Sequence, residues 1–360
     1  MRKIGILTSG GDCQGLNAAI RGIGKSLYTK FGGDVAVYGI HDGYRGLIQG
    51  LFHPMGPQEF SGILALGGTV LGTSRQPYKS LCRAEETGAQ LVENMKKTYA
   101  DLGLDCLVIL GGNGTHKTAN LLSKEGLDIV TLPKTIDNDI WGTDITFGFS
   151  SAVEIAAHVI DCIHTTATSH SRVFIVEVMG HKVGWLTLEA GIAGGADVIL
   201  LPEMPYDTDR IVEALRRRNS SGKRFSILAV AEGALSQDEA GLNRKEFHAE
   251  RKKMKYPSVS YRLADELGKM TGQEIRVTVP GHIQRGGSPC PYDRVLATQF
   301  GTAAVELIEQ KKFGRMVALK SGKMVSVPLD EVAGRLKTVP PDCGLIGAAR
   351  DIGISFGCKI

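Results

Sequence analysis

The chain lacks a CxxC pair, a metal-ligand spacing of cysteines and an even cysteine count; its seven cysteines stand apart at 13, 82, 106, 162, 290, 343 and 358. This excludes a full disulfide framework and points to a reducing compartment. No run approaches the roughly 18 apolar residues of a membrane span. The start, Met1-Arg2-Lys3-Ile4-Gly5-Ile6-Leu7, has no long apolar segment of the signal-peptide kind. The expectation is a soluble, cytoplasmic protein with no membrane partner. Net charge is scarce too, a formal +4 over 360 residues, so nothing in it calls for nucleic acid. A local group of arginines serving an anionic small molecule stays compatible. Two nucleotide-binding fingerprints are also missing. Gly10-Gly11-Asp12-Cys13-Gln14-Gly15 fails G-x-G-x-x-G at its second and third positions, and Gly24-Lys25-Ser26 lies inside a helix with Ala19 where a P-loop's first glycine belongs.

Glycine is plentiful instead: 46 residues, gathered at strand ends and not in low-complexity tracts. Many loops must therefore bring backbone close to something. Ile4–Thr8 reads as a strand, Ser9–Gly15 as a glycine turn and Leu16–Tyr28 as a helix, a sequence of elements that presents N–H groups and a helix amino terminus to an anion. The same order recurs with the strand Asp105–Leu110, the turn Gly111-Gly112-Asn113-Gly114-Thr115 and a helix to Lys124. Further strands are Val35–Ile40 and Ile129–Leu132, and Ala84–Tyr99 is an amphipathic helix. At the end of Ile129–Leu132 stands Pro133-Lys134-Thr135-Ile136-Asp137-Asn138-Asp139. Two carboxylates two residues apart suit one group that takes a proton and one that holds a metal ion, although Asp, Asn and Pro are also ordinary turn residues.

From Ser150 the alternation restarts. Strands are expected over 172–179, 197–201, 225–233 and 274–279, with helices over 151–166, 186–194, 210–218, 258–271 and 296–310. The Arg216-Arg217-Arg218 run reads as a solvated face. The charged stretch 238–256 reads as a mobile surface excursion. Arg276, His282 and Arg285 flank glycines at a strand end, a density that suits a sugar phosphate. Arg75 follows small residues that cannot shield it and is a candidate phosphate contact. The alternation predicts an α/β protein of two doubly wound, Rossmann-like, three-layer domains with mainly parallel sheets. Two glycine-lined cradles, a carboxylate pair and arginines in a second domain call for two anionic substrates facing each other across a cleft, which is the requirement of phosphoryl transfer.

These residues carry a resemblance. Thr8–Asp12 with Gly15–Arg21, Gly111–Thr115, Pro133–Asp139, Val176–Gly180 and Gly281–Pro289 resemble the 6-phosphofructokinase family, in its order, over residues 3 to about 310. The resemblance implies a phosphoryl-donor domain, 1–148 plus about 284–334, and a sugar-phosphate domain, 149–283 plus about 335–360. It implies Asp137 as the base acting on the 1-hydroxyl of fructose 6-phosphate, with Thr135, Gly11 and Arg172 as its catalytic companions. Gly11, Arg75, Gly111, Gly112, Asn113, Gly114, Thr115 and Lys134 match the donor site; Asn113 and Asp139 match the place of Mg2+. Met179, Gly180, His181, Glu232, His282 and Arg285 match the sugar site, while Arg172 and Arg276 match arginines reaching the sugar phosphate of a neighbouring subunit. A homodimer or homotetramer with shared sites follows.

Three departures from the family pattern matter. Asn113 replaces a common aspartate, which moves metal binding toward Asp137, Asp139 or the donor's own phosphates. Lys134 is the residue of pyrophosphate users, yet Gly114 is that of ATP users, whose nucleotide an aspartate there would crowd, so ATP is the expected donor. His164 and His181 stand in place of arginines, so control by a nucleotide diphosphate or phosphoenolpyruvate does not carry over with Arg21. The alternatives are a pyrophosphate-dependent phosphotransferase, a sugar-phosphate sensor and a nicotinamide-dependent oxidoreductase with Asp42 as its ribose acid.

Overall fold

The computed structural model describes residues 1–81 and 86–359; Cys82 and the expected helix start at Ala84 lie outside the described residues. Strands run in the order β1 (Arg2–Ser9), β2 (Val35–Ile40), β3 (Phe52–Pro54), β4 (Cys106–Gly111), β5 (Ile129–Pro133), β6 (Val173–Val178), β7 (Val198–Leu200), β8 (Ser226–Ala231), β9 (Ile275–Thr278), β10 (Arg315–Lys320) and β11 (Lys323–Pro328). The chain divides into two units, Met1–Ser151 with Arg285–Lys337, and Ala152–Gln284 with Thr338 onward.

The first unit carries a seven-stranded sheet in the order β11-β10-β5-β4-β1-β2-β3. β10, β5, β4, β1 and β2 pair in parallel, while β3 and β11 close the edges antiparallel. Every residue of β4 and β5 is buried, because helices cover both faces of a doubly wound sheet and leave no face for polar alternation. On one face Leu16–Phe31 packs along Pro291–Glu309. Gly22 permits that approach: a methyl group there would stand 2.9 Å from the Thr298 carbonyl oxygen. On the other face Leu7, Ile40, Tyr44, Met95, Leu107, Ile109, Leu122 and Ile129 form one core.

The second unit has a wholly parallel sheet, β7-β8-β6-β9. Val173, Ile175, Leu228, Val230, Ile211, Leu215, Leu263 and Leu267 make its core. The tail runs beside β7, with Ser355 N–H donating to the Asp197 carbonyl at 3.0 Å and Ile199 N–H to the Ser355 carbonyl at 2.8 Å.

The stretch 238–256 departs from expectation. It holds two helices, Gln237–Ala240 and Arg244–Lys253, opened by reciprocal caps from Ser236 with Glu239 and Asn243 with Glu246. Nearly buried Glu239 binds Arg251 and Arg262, each at 2.8 Å, so the segment is anchored by a charge cluster. Removing one partner of such a cluster costs about 3–5 kcal/mol. Among the described residues no helix is long and apolar enough to cross a membrane.

Candidate active site

In the first sheet the chain leaves β1 toward β2 on one side and β4 toward β5 on the other. Adjacent loops that diverge in this way open a crevice at the carboxyl ends of β1 and β4, where α/β sheets take ligands. Gly10–Gly15 follows β1, Gly112 opens the helix Asn113–Lys124 after β4, and Lys134–Asp139 follows β5. The three loops are tied together. Thr115 Oγ1 donates to the Ser9 carbonyl at 3.3 Å, Lys134 N–H donates to the Gly111 carbonyl at 3.0 Å, and Lys134 Nζ donates to the Gly11 carbonyl.

The acidic loop is held from both sides. Asp137 N–H donates to Thr135 Oγ1 at 3.0 Å, and Asn138, in the left-handed region at φ 51°, turns the chain between the two carboxylates. Its Oδ1 accepts from Thr146 N–H at 3.1 Å and from Lys337 Nζ at 2.7 Å. Lys337 Nζ also donates to the Thr143 and Asp144 carbonyls, at 3.0 and 2.8 Å, and its N–H donates to the Asp139 carbonyl at 2.9 Å. Asn113 Nδ2 donates to Asp139 Oδ2 at 2.6 Å. The side chains of Asp137 and Asp139 are half-buried, which leaves them reachable from the crevice.

Cations gather at Gly11. A methyl group on it would lie 2.9 Å from Arg285 Nη1 and at ordinary contact, 3.6 Å, from Arg75 Nη2, so both guanidinium groups stand beside the backbone there and the glycine gives Arg285 its room. The loop carrying Arg75 is fastened to the turn, with Gly10 N–H donating to the Ser74 carbonyl at 3.0 Å and Thr73 Oγ1 to the Gly10 carbonyl at 2.8 Å. Asn17 holds its other end, donating to the Leu66 and Gly67 carbonyls and accepting from Val70 N–H. Arg285 is braced by its bond to the Asp12 carbonyl at 3.2 Å. Gly114 is different: its side-chain direction meets nothing within 4 Å, so space is left beside the helix start.

Burial sets the charges of this crevice. Lys134 is pulled below the usual lysine value by burial, with Arg285 adding to the effect and Cys13, Asp137 and Asp139 opposing it. Burial lifts the Cys13 thiol to about 12, so it stays protonated, and drops His116 to about 3, so it stays neutral. Neither is a nucleophile or a proton shuttle near neutral pH.

In the second unit, Met179, Gly180 and His181 follow β6 and Glu232 follows β8. Glu232 Oε1 accepts from Gly180 N–H at 3.3 Å and from His181 N–H at 2.7 Å, and Gln284 Oε1 accepts from Met179 N–H at 3.2 Å. Gln284 shares the turn Gly281–Arg285 with exposed His282. The structure thus brings Met179, Gly180, His181, Glu232 and His282 to one strand edge. Arg172 and Arg276 do not join them. Arg172 precedes β6, Arg276 pairs in register with Phe174, and both bind Glu274, the Arg172 Nε contact measuring 2.6 Å. The six residues of β6 separate Arg172 from Met179, seven rises or roughly 23 Å. His164 turns inward, to the Gly194 carbonyl at 2.7 Å and edge-on to Phe225. Asp42 pairs with Arg45 at the protein surface. Asn17 and Lys337 were missed by the sequence reading; a buried asparagine on an apolar helix face is a signal for the first, and nothing local marks the second.

Among the described residues no group of three or more acidic, histidine or cysteine side chains could hold a metal alone. Asn113 Oδ1 is buried without a partner beside the Asp139 carboxylate. That oxygen set fits Mg2+, which keeps waters and phosphate ligands and needs only one or two protein oxygens.

The family model described as Phosphofructokinase matches residues 3–308. The chain is similar to an ATP-dependent 6-phosphofructokinase of Spirochaeta thermophila, 56% identical over 359 residues, covering 99% of this chain and 98% of that one. It is 46% identical to another protein of that name from Propionibacterium freudenreichii subsp. shermanii, with 99% of each chain covered. A solved pyrophosphate-dependent phosphofructokinase from Nitrosospira multiformis superposes with TM-score 0.82 over 98% of this chain and 92% of that one; at 20% identity it speaks for the fold alone.

Proposed function

The chain belongs to the phosphofructokinase family, and from that premise we propose that it transfers the γ-phosphoryl group of Mg-ATP to the 1-hydroxyl of fructose 6-phosphate, giving fructose 1,6-bisphosphate and ADP. The observation that carries this reading is the half-buried Asp137–Asp139 loop set beside a glycine bracketed by Arg75 and Arg285. Asp137 accepts the proton of the attacking hydroxyl while its oxygen bonds to phosphorus, and the bridging bond's electron pair leaves with ADP. Gly11 N–H, Arg75 and Arg285 face the charge that develops on the transferred group. Gly111, Gly112, Asn113, Gly114 and Thr115 cradle the donor phosphates, and the open side of Gly114 admits the nucleotide. Lys134, bound to the Gly11 carbonyl, joins the donor turn to the acid loop. Asp139 and Asn113 would hold Mg2+, which supplies charge neutralisation of the donor phosphates when bound.

Met179, Gly180, His181, Glu232 and His282 take the sugar. Arg172 and Arg276 stand at the opposite strand edge from them, which supports their serving the sugar phosphate of a second copy, in a homodimer or homotetramer with shared sites. The reading places the enzyme in the cytoplasm. Lys134 is the residue that favours pyrophosphate as donor, and a rate assay with each donor separates the two. Turnover of fructose 6-phosphate with Mg-ATP is expected; turnover with pyrophosphate alone overturns the donor, and turnover with neither overturns the activity.

A further inference from the structure

In the three-arginine run on the helix Thr208–Ser220, Arg216 and Arg217 are exposed, as a solvated face requires, and Arg218 is half-buried. Arg216 donates to the Met270 carbonyl at 3.3 Å, and Arg218 binds the Asp197 carboxylate at 2.8 Å and Ser226 Oγ at 3.2 Å. Arg217 has no ion pair or side-chain hydrogen bond among the described residues, and it borders a groove of about 670 Å³ between this helix and the tail 353–359. The groove is lined by Arg210, Arg217, Arg218, Arg350 and Lys359 against one carboxylate, Glu213, which already pairs with Arg210. Counting Asp197, which holds Arg218, three positive charges of this groove stay uncompensated. Arg350 lies over the Phe356 ring at 5.6 Å, which orients its guanidinium, and neither it nor Lys359 is ion-paired to a carboxylate among the described residues.

With Arg210 paired to Glu213 and Arg218 to Asp197, Arg217, Arg350 and Lys359 are the lining cations left without a carboxylate among the described residues; like charges this close repel, and an anion that neutralises them is stabilising. Arginine forks match phosphate oxygens in bidentate fashion, and a groove of this volume takes a metabolite-sized ligand. Glu203, Glu232, Met179 and His282 do not line it. We propose that the groove between the helix Thr208–Ser220 and the carboxyl-terminal tail is a binding site for a small polyanion bearing two or more phosphate groups, separate from the residues that take donor and sugar.

The test is calorimetric titration of the full-length protein with inorganic tripolyphosphate, at low and at physiological salt, comparing wild type with Arg217→Glu and with Arg217→Glu/Arg350→Glu. The wild type should take up one more tripolyphosphate per chain than the double variant. Arg217→Glu alone, which breaks no ion pair, should weaken that extra site roughly tenfold or more. Its affinity should fall steeply with salt, while turnover and KM for the substrates stay within about twofold in both variants. Counting the difference between wild type and variant keeps the result independent of which donor the enzyme uses. Equal uptake by wild type and both variants, or an extra site that Arg217→Glu leaves unchanged, overturns the proposal.

Discussion

The strand edges of the two sheets distribute their charged residues differently. At the carboxyl edge of the first sheet, Arg75, Arg285, Lys134, Asp137 and Asp139 converge on one turn, with Lys134 Nζ bound to the Gly11 carbonyl and Asn113 Nδ2 to Asp139. In the second sheet Glu232 and the Met179–His181 turn occupy the carboxyl edge, while Arg172 and Arg276 sit toward the amino edge on Glu274. A phosphate-binding set split across roughly 20 Å of strand cannot close on one small ligand. The first unit therefore gathers its charged residues at one turn, while the second spreads them over both ends of its strands.

The largest expected effect on substrate affinity breaks the second half of that comparison. Arg172→Ala with Arg276→Ala should raise KM for fructose 6-phosphate roughly 10- to 100-fold with a small change in the KM for ATP, since each lost phosphate contact is charge-assisted. Mixing this variant with an Asp137-defective chain and allowing exchange should restore part of the activity, measured by initial rates. No recovery would mean that the arginines do not act across copies.

The next effect sharpens the first half. Lys337→Met removes the amine that joins Asn138 to the Thr143 and Asp144 carbonyls. Turnover should fall roughly tenfold with KM little changed, because the loop between the two carboxylates loosens while neither is touched. Lys337→Arg should recover part of it; equal loss in kcat and stability with no such recovery would reduce Lys337 to a structural pin.

The smallest effect concerns His116, whose folded value of about 3 lies below the ordinary 6.5. The unfolded chain therefore binds the proton first. The stabilisation is present in full above pH 6.5 and is lost as pH falls from there toward 3. Between pH 7 and 5 that amounts to about 2 kcal/mol. Denaturant unfolding at both pH values should show a loss larger by that amount in wild type than in His116→Asn.

Much of the fold was legible because β1, β4, β5, β6 and β8 are continuous apolar runs that end at glycine or at a polar cluster, the pattern of strands covered on both faces. The edges were less so. β10 and β11 are six residues each but lysine-flanked around Ser321-Gly322, a turn signal that went unread, and β3 is three residues long. The Ser236–Glu239 and Asn243–Glu246 capping boxes likewise marked two helices inside a stretch whose charge suggested disorder. The glycines and carboxylates of the candidate site were visible as local motifs. Lys337 was not, since its bonds span 193 to 199 residues of chain, and a lysine's partners at such separation leave no pattern in its neighbours.

The account rests on Asp137 as proton acceptor. The most direct measurement compares Asp137→Ser with wild type, by calorimetric binding of fructose 6-phosphate and by initial rate with Mg-ATP. Sugar affinity within a few fold of wild type and turnover lowered by roughly 10²–10⁴ is the expected result; turnover at the wild-type rate in the serine variant would contradict it.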